Sequence, residues 1–289
     1  MKLIKFLRYL IEYLIIHFLF LIFRILGLKN SILLSSILFR FIGPLFRSKK
    51  TIKKNLNLSF PIISEKEIQD ISNNMWKYYG KIFAEYSFIK NFRKDHENKK
   101  FEIEGDEIIN EIIKKKEAVI FISGHFDNFE LMAMYLEKSG IKLAAIYRPL
   151  NNYILNETMV GIRKKYICKN QIKKGIFSTR NLLKLFKNGY SIALMIDQRV
   201  SEGLKVNFFS KDCYTTTIPA QFVKKFNCKI VPIFIERKND NNFKIKIFNP
   251  LSFDNTHTIE NITLNLNHWL EKMIKIKPTQ WIWSHNRWK

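Results

Sequence analysis

The sequence predicts an α/β fold in which a central, mostly parallel or mixed sheet is flanked by helices and preceded by an N-terminal membrane helix. Three observations predict it. Hydrophobic residues make up 47% of the 289 residues, which excludes a disordered chain. From Glu117 onwards, short β-type runs alternate with helical stretches, an order typical of sheets covered by helices. The start of the chain is strongly apolar instead, so we expect residues 1–50 to form a membrane anchor and residues 51–289 a single cytoplasmic domain.

The apolar start of the chain has two parts. Residues 9–28 are almost continuously apolar and have the length that crosses roughly 30 Å of hydrocarbon at about 1.5 Å per residue, although His17 near the centre imposes a cost. Residues 31–46 carry Arg40 and Pro44 and are too interrupted to span well. We therefore expect one spanning or deeply embedded helix, followed by an interfacial helix.

The charges around this segment predict its orientation. Three cations precede it and eight follow between Arg24 and Lys54, so the positive-inside rule places the body of the protein in the cytoplasm. A cleaved signal peptide is the alternative, but large residues follow the apolar stretch where a small-residue cleavage site is needed. The scattered positions of Cys168, Cys213 and Cys228 fit a reducing compartment and predict neither a disulfide framework nor a cysteine zinc site.

Local patterns predict the elements of the cytoplasmic domain. Ser64 and Glu67 have the spacing of a capping box, which opens a long helix. Another helix begins near Pro219, because proline suits the first helical turn. Strands are predicted over residues 118–123, 142–147, 191–196, 229–236 and 243–248, and further helices over residues 129–138, 152–166, 178–188 and about 259–276.

The formal net charge is +24, from 49 Lys and Arg against 25 Asp and Glu. Such an excess points to polyanionic partners, namely anionic lipid, an acidic protein or nucleic acid, although a compositional bias towards Lys could explain part of it. A nucleic-acid-binding protein would carry cations and aromatic side chains on one face together with a recognised motif. The sequence has basic clusters such as Lys114–Lys116 but no such motif, so nucleic acid is not an expected partner.

One segment has the composition of a reactive site. Gly124 and His125 directly follow the buried strand of residues 118–123, and open α/β sheets place their ligands at this end of a strand. Glu130 comes five residues later, so the two side chains can meet only if His125 lies in the turn and Glu130 in the first turns of the helix. There the carboxylate would hold one ring nitrogen while the other takes a proton from a substrate hydroxyl. Backbone N–H groups at the helix start would stabilise a developing oxyanion.

The bare His-x-x-x-x-Glu spacing allows other interpretations. A structural histidine that caps the helix is one of them. His125 and Asp127 could instead bind a metal, but no third strong ligand lies near them in sequence, and we expect neither a metal nor a cofactor. The sequence has no Gly-x-Ser-x-Gly motif to supply a covalent nucleophile, so direct attack by an activated hydroxyl is the simpler mechanism.

The wider pattern resembles a known family. Gly124, His125, Asn128 and Glu130 match the Gly-His-x-x-Asn-x-Glu block of the lipid A biosynthesis (late) acyltransferases of the lauroyl/myristoyl type, within the lysophospholipid acyltransferase superfamily. Further blocks similar to that family follow in order at residues 147–152, 197–198, 206–209, 216–220, 230–232 and 280–289. The likeness spans the whole chain. It departs at Asp127, where the family usually has Gly, and also at Phe129, Arg199 and Ser210.

The resemblance implies acyl transfer from an acyl carrier protein thioester to a hydroxyl of a lipid A precursor similar to Kdo-lipid IVA, without metal, at the cytoplasmic face of the bacterial inner membrane. It implies that His125 deprotonates the acceptor and that Glu130 orients His125 and balances its charge. The expected partners are the carrier protein, the precursor and anionic inner-membrane lipids. Another glycolipid or a lysophospholipid is the alternative acceptor.

Five further residues are predicted to bind substrate: Asn128, Arg148, Arg163, Asp197 and Gln198. Arg148 and Arg163 would hold phosphates by bidentate contacts, with a structural salt bridge as the alternative for Arg148 and a solvated helix face as the favoured interpretation of Arg163. Asp197 and Gln198 end a strand on the same side of the sheet as His125 if the strands are parallel, and turn capping is the alternative for Asp197. The sequence leaves open whether the tryptophans of the final block are interfacial anchors or core residues.

Overall fold

Nine strands and ten α-helices occur in the part of the chain that the computed structural model describes, which is residues 2–95, 99–239 and 241–289. The helices are α1 Lys2–Phe46, α2 Lys49–Ser59, α3 Glu65–Glu85, α4 Ile89–Lys94, α5 Asp106–Lys115, α6 Glu130–Lys138, α7 Tyr153–Tyr166, α8 Ile176–Lys187, α9 Ile218–Phe226 and α10 Ile259–Ile276. The strands are β1 Phe101–Glu104, β2 Ile120–Ser123, β3 Leu143–Tyr147, β4 Asn170–Lys173, β5 Ser191–Met195, β6 Leu204–Phe208, β7 Lys211–Thr215, β8 Ile230–Arg237 and β9 Phe243–Ile247.

Seven of these strands form one sheet, in the order β1-β9-β8-β2-β5-β3-β4. All neighbours in it are parallel except β8 and β9, and β6 and β7 form a separate antiparallel hairpin. Every residue of the central strand β2 is buried, as expected for a parallel strand covered on both faces. The predicted α/β class and the mostly parallel, mixed sheet are confirmed.

Helix α3 begins with the expected capping box and supports the N-terminal helix. The Ser64 hydroxyl accepts a hydrogen bond from the Glu67 backbone N–H, and the Glu67 carboxylate accepts one from the Ser64 backbone N–H. Further along α3, a Cβ atom on Gly80 would lie 2.3 Å from the Ser35 carbonyl oxygen of α1. A glycine is therefore needed for this close approach of the two helices.

Helix α1 is bent back on itself. Gly27 interrupts it with φ 74° and ψ 166°, and the Ser31 hydroxyl donates to the carbonyl oxygen of Phe23, eight residues earlier, at 2.8 Å. The rings of Phe23 and Phe39 both pack on Phe83 of α3, at 5.9 and 5.3 Å between centroids. In a straight helix these two residues would be roughly 24 Å apart. Residues 2–26 and 28–46 are therefore two arms of a helical hairpin, called the first arm and the second arm below.

Candidate active site

The pairing of β2 with β5 brings two predicted site residues together. Ser123 of β2 lies opposite Met195 of β5, and the two strands are parallel. His125 and Asp197 each follow two residues later, so both emerge at the carboxyl edge of the sheet, where open α/β sheets bind their ligands. The location inferred from the sequence for Asp197 is therefore the one the structure shows.

His125 and Asp197 form a hydrogen-bonded pair. Nδ1 of the His125 ring lies 2.7 Å from Oδ1 of Asp197, and the His125 backbone N–H donates to Oδ2 at 2.7 Å. The indole N–H of Trp281 also donates to Oδ2, at 2.9 Å. Asp197 is fully buried, which by itself raises its pKa, but His125 and the three hydrogen bonds outweigh burial and lower that pKa below its ordinary value.

The carboxylate on the His125 ring is thus Asp197, where the sequence analysis expected Glu130. Oε1 of Glu130 instead accepts hydrogen bonds from Nε and Nη2 of Arg163, at 2.7 and 2.5 Å, and from the hydroxyl of Tyr86. Strand register places Asp197 beside the imidazole. Glu130 is the first residue of α6, and its side chain faces Tyr86 and α7 instead. The predicted contact between His125 and Glu130 was therefore wrong.

Arg163 is an internal ion-pair partner, so the interpretation of a solvated helix face was wrong. Its side chain is 14% exposed, and its guanidinium binds Glu130 and lies 3.2 Å from the Tyr86 oxygen. Burial alone would lower the pKa of Arg163, but Glu130 and Tyr86 outweigh burial and raise that pKa above its ordinary value. The guanidinium therefore stays charged. Burial and the neighbouring Glu130 carboxylate raise the pKa of Tyr86. The pair therefore fixes α6 against α7.

Asn128 belongs to a buried ionic network rather than to the surface of the site, contrary to its expected contact with substrate. Its Nδ2 donates to Oε2 of Glu85 at 2.8 Å. Arg237, at the end of β8, binds both carboxylates of Glu85 and Asp127, with its shortest contact to each at 2.6 Å. All four residues are almost completely buried. Because Asp127 and Asn128 belong to the turn between His125 and α6, this buried network stabilises that turn.

Gln198 and Arg148 complete the predicted set. Nε2 of Gln198 lies 3.5 Å from Nε2 of His125, on the side of the ring away from Asp197. Arg148 follows β3, the other neighbour of β5, and its exposed guanidinium makes no ion pair with any described residue. Burial and then the Arg148 charge lower the pKa of Lys174, so two cations lie near each other at this edge.

Most N–H groups at the start of α6 are already used in hydrogen bonds within the turn. The backbone N–H groups of residues 128, 129, 131 and 132 donate to the Asp127 carboxylate and to the carbonyl oxygens of residues 127, 128 and 129. Because four of the five N–H groups of residues 128–132 are used within the turn, only that of Glu130 is left among them, and the expected oxyanion site of several N–H groups is not formed. The amide of Gln198 is instead the side-chain donor beside His125 Nε2.

Two apolar cavities lie between His125 and the N-terminal hairpin. A cavity of about 220 Å³ is lined by His125, Phe129, Met75, Tyr78, Ile82 and Trp281, among others. A second cavity of about 320 Å³ lies between the second arm and α3 and is lined by Phe39, Ile42, Phe46 and Trp76, among others. Tyr79 and Ile282 line both cavities, so these two side chains stand between them.

The final block of the chain packs inside the protein. Trp281, Trp283 and Trp288 are at most 6% exposed, which settles their open interpretation in favour of the core. Nε2 of His285 accepts a hydrogen bond from the Arg199 backbone N–H at 3.1 Å. Burial lowers the pKa of His285 to about 4, so this ring is neutral and serves as an acceptor at neutral pH.

The side chains that could bind a metal are few. Within the described ranges, no three His, Cys, Asp or Glu side chains lie close enough together to hold a metal ion. Cys168, Cys213 and Cys228 are buried thiols, and burial raises the pKa of each.

Several residues of the site were not found from the sequence. Trp281 was named only as part of a block, and Tyr86, Glu85 and Arg237 carried no motif that set them apart. Arg237 is 110 residues from Asp127 and 152 from Glu85, so no local spacing connects them. The one available signal was that Asp127 stands at a position where the family usually has glycine. In the structure the backbone φ of Asp127 is 36°, a positive angle that glycine adopts more easily than other residues.

Comparison with known proteins identifies a family match over the full length and relatives over most of the chain. A family model described as "Bacterial lipid A biosynthesis acyltransferase" matches residues 1–289. The lipid A biosynthesis myristoyltransferase of Escherichia coli (strain K12) is 23% identical over 250 residues, which cover 84% of this chain and 76% of that protein. The lipid A biosynthesis acyltransferase of Haemophilus influenzae is 25% identical over 247 residues, covering 82% and 76%. The crystal structure of a 1-acyl-sn-glycerophosphate acyltransferase from Thermotoga maritima aligns with a TM-score of 0.41 and 17% identity, covering 86% of this chain and 98% of that one.

Proposed function

Because the chain belongs to the bacterial lipid A biosynthesis acyltransferase family, and is thus an acyltransferase, we propose that it transfers a fatty acyl chain from an acyl carrier protein thioester to a hydroxyl of a lipid A precursor. The family predicted from the sequence blocks is confirmed. The single observation that carries the proposed chemistry is the His125 ring, held by buried Asp197 and facing an apolar cavity.

His125 would act as the general base. An ionised Asp197 can only accept hydrogen bonds, so Nδ1 of His125 carries the proton between them and Nε2 keeps its lone pair. Nε2 takes the proton of the acceptor hydroxyl, and the resulting oxygen nucleophile attacks the thioester carbonyl. When the tetrahedral intermediate collapses, the carbon–sulfur bond breaks and the proton on Nε2 passes to the leaving thiolate. Asp197 stabilises the imidazolium between these two transfers.

Gln198 would support the intermediate. Its amide nitrogen lies beside Nε2 of His125, where the carbonyl oxygen of a thioester positioned for attack would gain negative charge. The Glu130–Arg163 pair has a different part in this proposal. It orients the helix that follows His125 by joining α6 to α7, and so holds the base in place.

The two apolar cavities would hold the acyl chain of the donor. The smaller one begins at His125 and the larger one continues past Tyr79 and Ile282 towards the second arm. An alkyl chain is stabilised by about 0.8 kcal/mol per buried CH₂, so the length of this path favours the chain that fills it.

The charges around the site suit anionic substrates. Arg148 and Lys174 lie at the same edge of the sheet as His125, where Arg148 can hold a phosphate of the acceptor by a bidentate contact. The net charge of +24 favours association with an acidic carrier protein and with anionic lipid of the inner membrane, and we place the body of the protein on the cytoplasmic side.

Replacing His125 tests the function. We expect His125→Ala to lower acyl transfer roughly 100- to 10,000-fold, because a positioned base contributes about that much. The measurement is transfer from purified acyl carrier protein thioester to purified lipid A precursor, followed by mass spectrometry. His257→Ala is the matched control, since the His257 side chain is 42% exposed and pairs with Asp254, three residues away. Near-normal transfer by His125→Ala would contradict the proposed chemistry.

The same assay decides between substrates. Acyl-coenzyme A replaces the carrier thioester in one arm, and a lysophospholipid or another glycolipid replaces the precursor in the others. We expect the carrier thioester and the lipid A precursor to give the highest kcat/KM. A higher kcat/KM for a lysophospholipid would overturn the proposed acceptor while leaving the role of His125 unchanged.

Narrowing the passage between the cavities tests the acyl-chain site. We expect Ile282→Trp to shift the preferred donor towards shorter chains, because the larger side chain would take up space at the boundary that the two cavities share. The measurement is competition between carrier thioesters of graded length. Leu45→Trp is the control, because Leu45 is 81% exposed and lines neither cavity. An unchanged preference in Ile282→Trp would place the chain elsewhere.

A further inference from the structure

The N-terminal hairpin has one strongly apolar face that no part of the described protein covers. Of the 23 large hydrophobic side chains that are exposed among the described residues, 18 lie on α1. They occur along both arms, from Leu3 to Leu26 on the first and from Leu33 to Phe46 on the second. A continuous apolar patch of this kind marks a surface that meets a membrane or a partner protein.

The opposite face of the hairpin packs, along the length of the hairpin, on the rest of the protein, residues 49–289, called the catalytic body below. Near the start of the first arm, the Tyr9 carbonyl accepts a hydrogen bond from Asn152, at 2.9 Å. Near the end of the second arm, a Cβ atom on Gly43 would lie 2.3 Å from the Trp76 ring. The longest interval between fully buried residues of α1 runs from Tyr9 to Phe20, well short of the roughly twenty residues that a bilayer span needs.

Exposed cations lie at both ends of the hairpin and at its turn. Lys5 and Arg8 are exposed at the start and Arg47 directly after the end, while Arg24 and Lys29 flank Gly27. Arg40 is exposed within the second arm, about 9 Å before its end, and its long side chain can extend from there to the headgroups. Phosphate groups of lipids attract such cations, whereas the hydrocarbon centre of a bilayer excludes them. The ends and the turn are therefore all suited to the headgroup layer, and the apolar arms between them to the outer hydrocarbon.

We propose that the hairpin lies within a single leaflet of a phospholipid bilayer, so that the N-terminus, the turn at Gly27 and the catalytic body are all on one side of the membrane. Of the two expected arrangements, spanning or embedded, the packing favours the embedded one. The second arm lines the larger cavity, so that cavity borders the hydrocarbon of the leaflet. Lipid chains would reach the site sideways from the bilayer. The attachment itself does not depend on the proposed reaction.

Cysteine labelling tests the arrangement in the full-length protein. The three native cysteines are buried, so single cysteines introduced by Lys5→Cys, Lys29→Cys and Lys66→Cys can be read separately. All three lysines are exposed, and Lys66 on α3 reports the side of the catalytic body. A membrane-impermeant maleimide is applied to sealed spheroplasts and to inverted membrane vesicles from expressing cells. We expect all three cysteines to be labelled in the same one of the two preparations.

The other outcomes overturn the proposal in distinct ways. Labelling of Lys5→Cys on the side opposite to Lys66→Cys would show that the first arm crosses the bilayer. Labelling of Lys29→Cys alone on the opposite side would show that both arms cross. Since labelling requires no acyl transfer, a failure here is separate from a failure of the enzymatic assay.

Discussion

The Asp197→Asn variant is expected to lose about 10⁴-fold in kcat, the size of loss seen when the carboxylate of a His–Asp pair is replaced by an amide. Asp197 accepts from three N–H groups, those of the His125 ring, the His125 backbone and Trp281. An asparagine has one acceptor oxygen and would turn an N–H₂ group towards one of these donors. The His125 ring would then keep its proton on Nε2, where the base needs a lone pair.

Two further variants separate this explanation from others. Asp212→Asn is the matched control, because Asp212 is exposed on β7 and should leave transfer unchanged. Glu130→Gln should lower transfer by disturbing the pair with Arg163, yet keep the pH dependence of the unmodified enzyme, since Glu130 does not bind the His125 ring. If Glu130→Gln altered the pH profile and Asp197→Asn did not, the original expectation of a His125–Glu130 pair would be restored.

The centre of the fold was predictable because its sequence signals are local and strong. Residues 118–123, 191–196 and 229–236 are short apolar runs, and they form the adjacent strands β2, β5 and β8 of the sheet. The edge strands β1 and β4 were missed. Each has four residues, and Phe101-Glu-Ile-Glu104 and Asn170-Gln-Ile-Lys173 contain few apolar residues, so their pairing depends on a partner that is distant in sequence.

The site was predictable as a list of residues but not as a set of contacts. The sequence placed Asp197 and Gln198 on the same side of the sheet as His125 if the strands are parallel, and β2 and β5 are parallel. Which carboxylate binds the imidazole depends on strand register and on the direction in which α6 leaves the turn, and residue spacing contains neither. The hairpin was missed for a similar reason, since the apolar sequence on either side of Gly27 does not specify that the arms fold back onto α3.

The buried network below the site has an unusual charge balance. Two carboxylates, Glu85 and Asp127, share one guanidinium, that of Arg237, and none of the three is more than 2% exposed at its side chain. Burial raises the pKa of Glu85 even though Arg237 opposes this, and the Asp127 charge raises it further. A cation that is shared by two buried carboxylates can be removed only at a large cost in stability.

We expect Arg237→Met to lower the free energy of unfolding by about 3–5 kcal/mol, because it leaves two buried carboxylates without their cation. For a domain of this size, that corresponds to a fall of roughly 10 °C in Tm. The measurement is thermal unfolding of the purified protein in a non-ionic detergent. We also expect kcat to fall in the protein that stays folded, since the turn that follows His125 loses its support.

The neighbouring Lys238→Met is the matched control. Lys238 is 44% exposed and pairs with Glu236 at 3.2 Å, and exposed pairs of this kind contribute about 0–1 kcal/mol. Asp127→Gly should fall between the two variants, because glycine suits the positive φ at this position and Arg237 keeps both contacts to Glu85. The expected order of destabilisation is therefore Arg237→Met, then Asp127→Gly, then Lys238→Met. A Tm of Arg237→Met equal to that of Lys238→Met would contradict the stabilising role of the Arg237 cation.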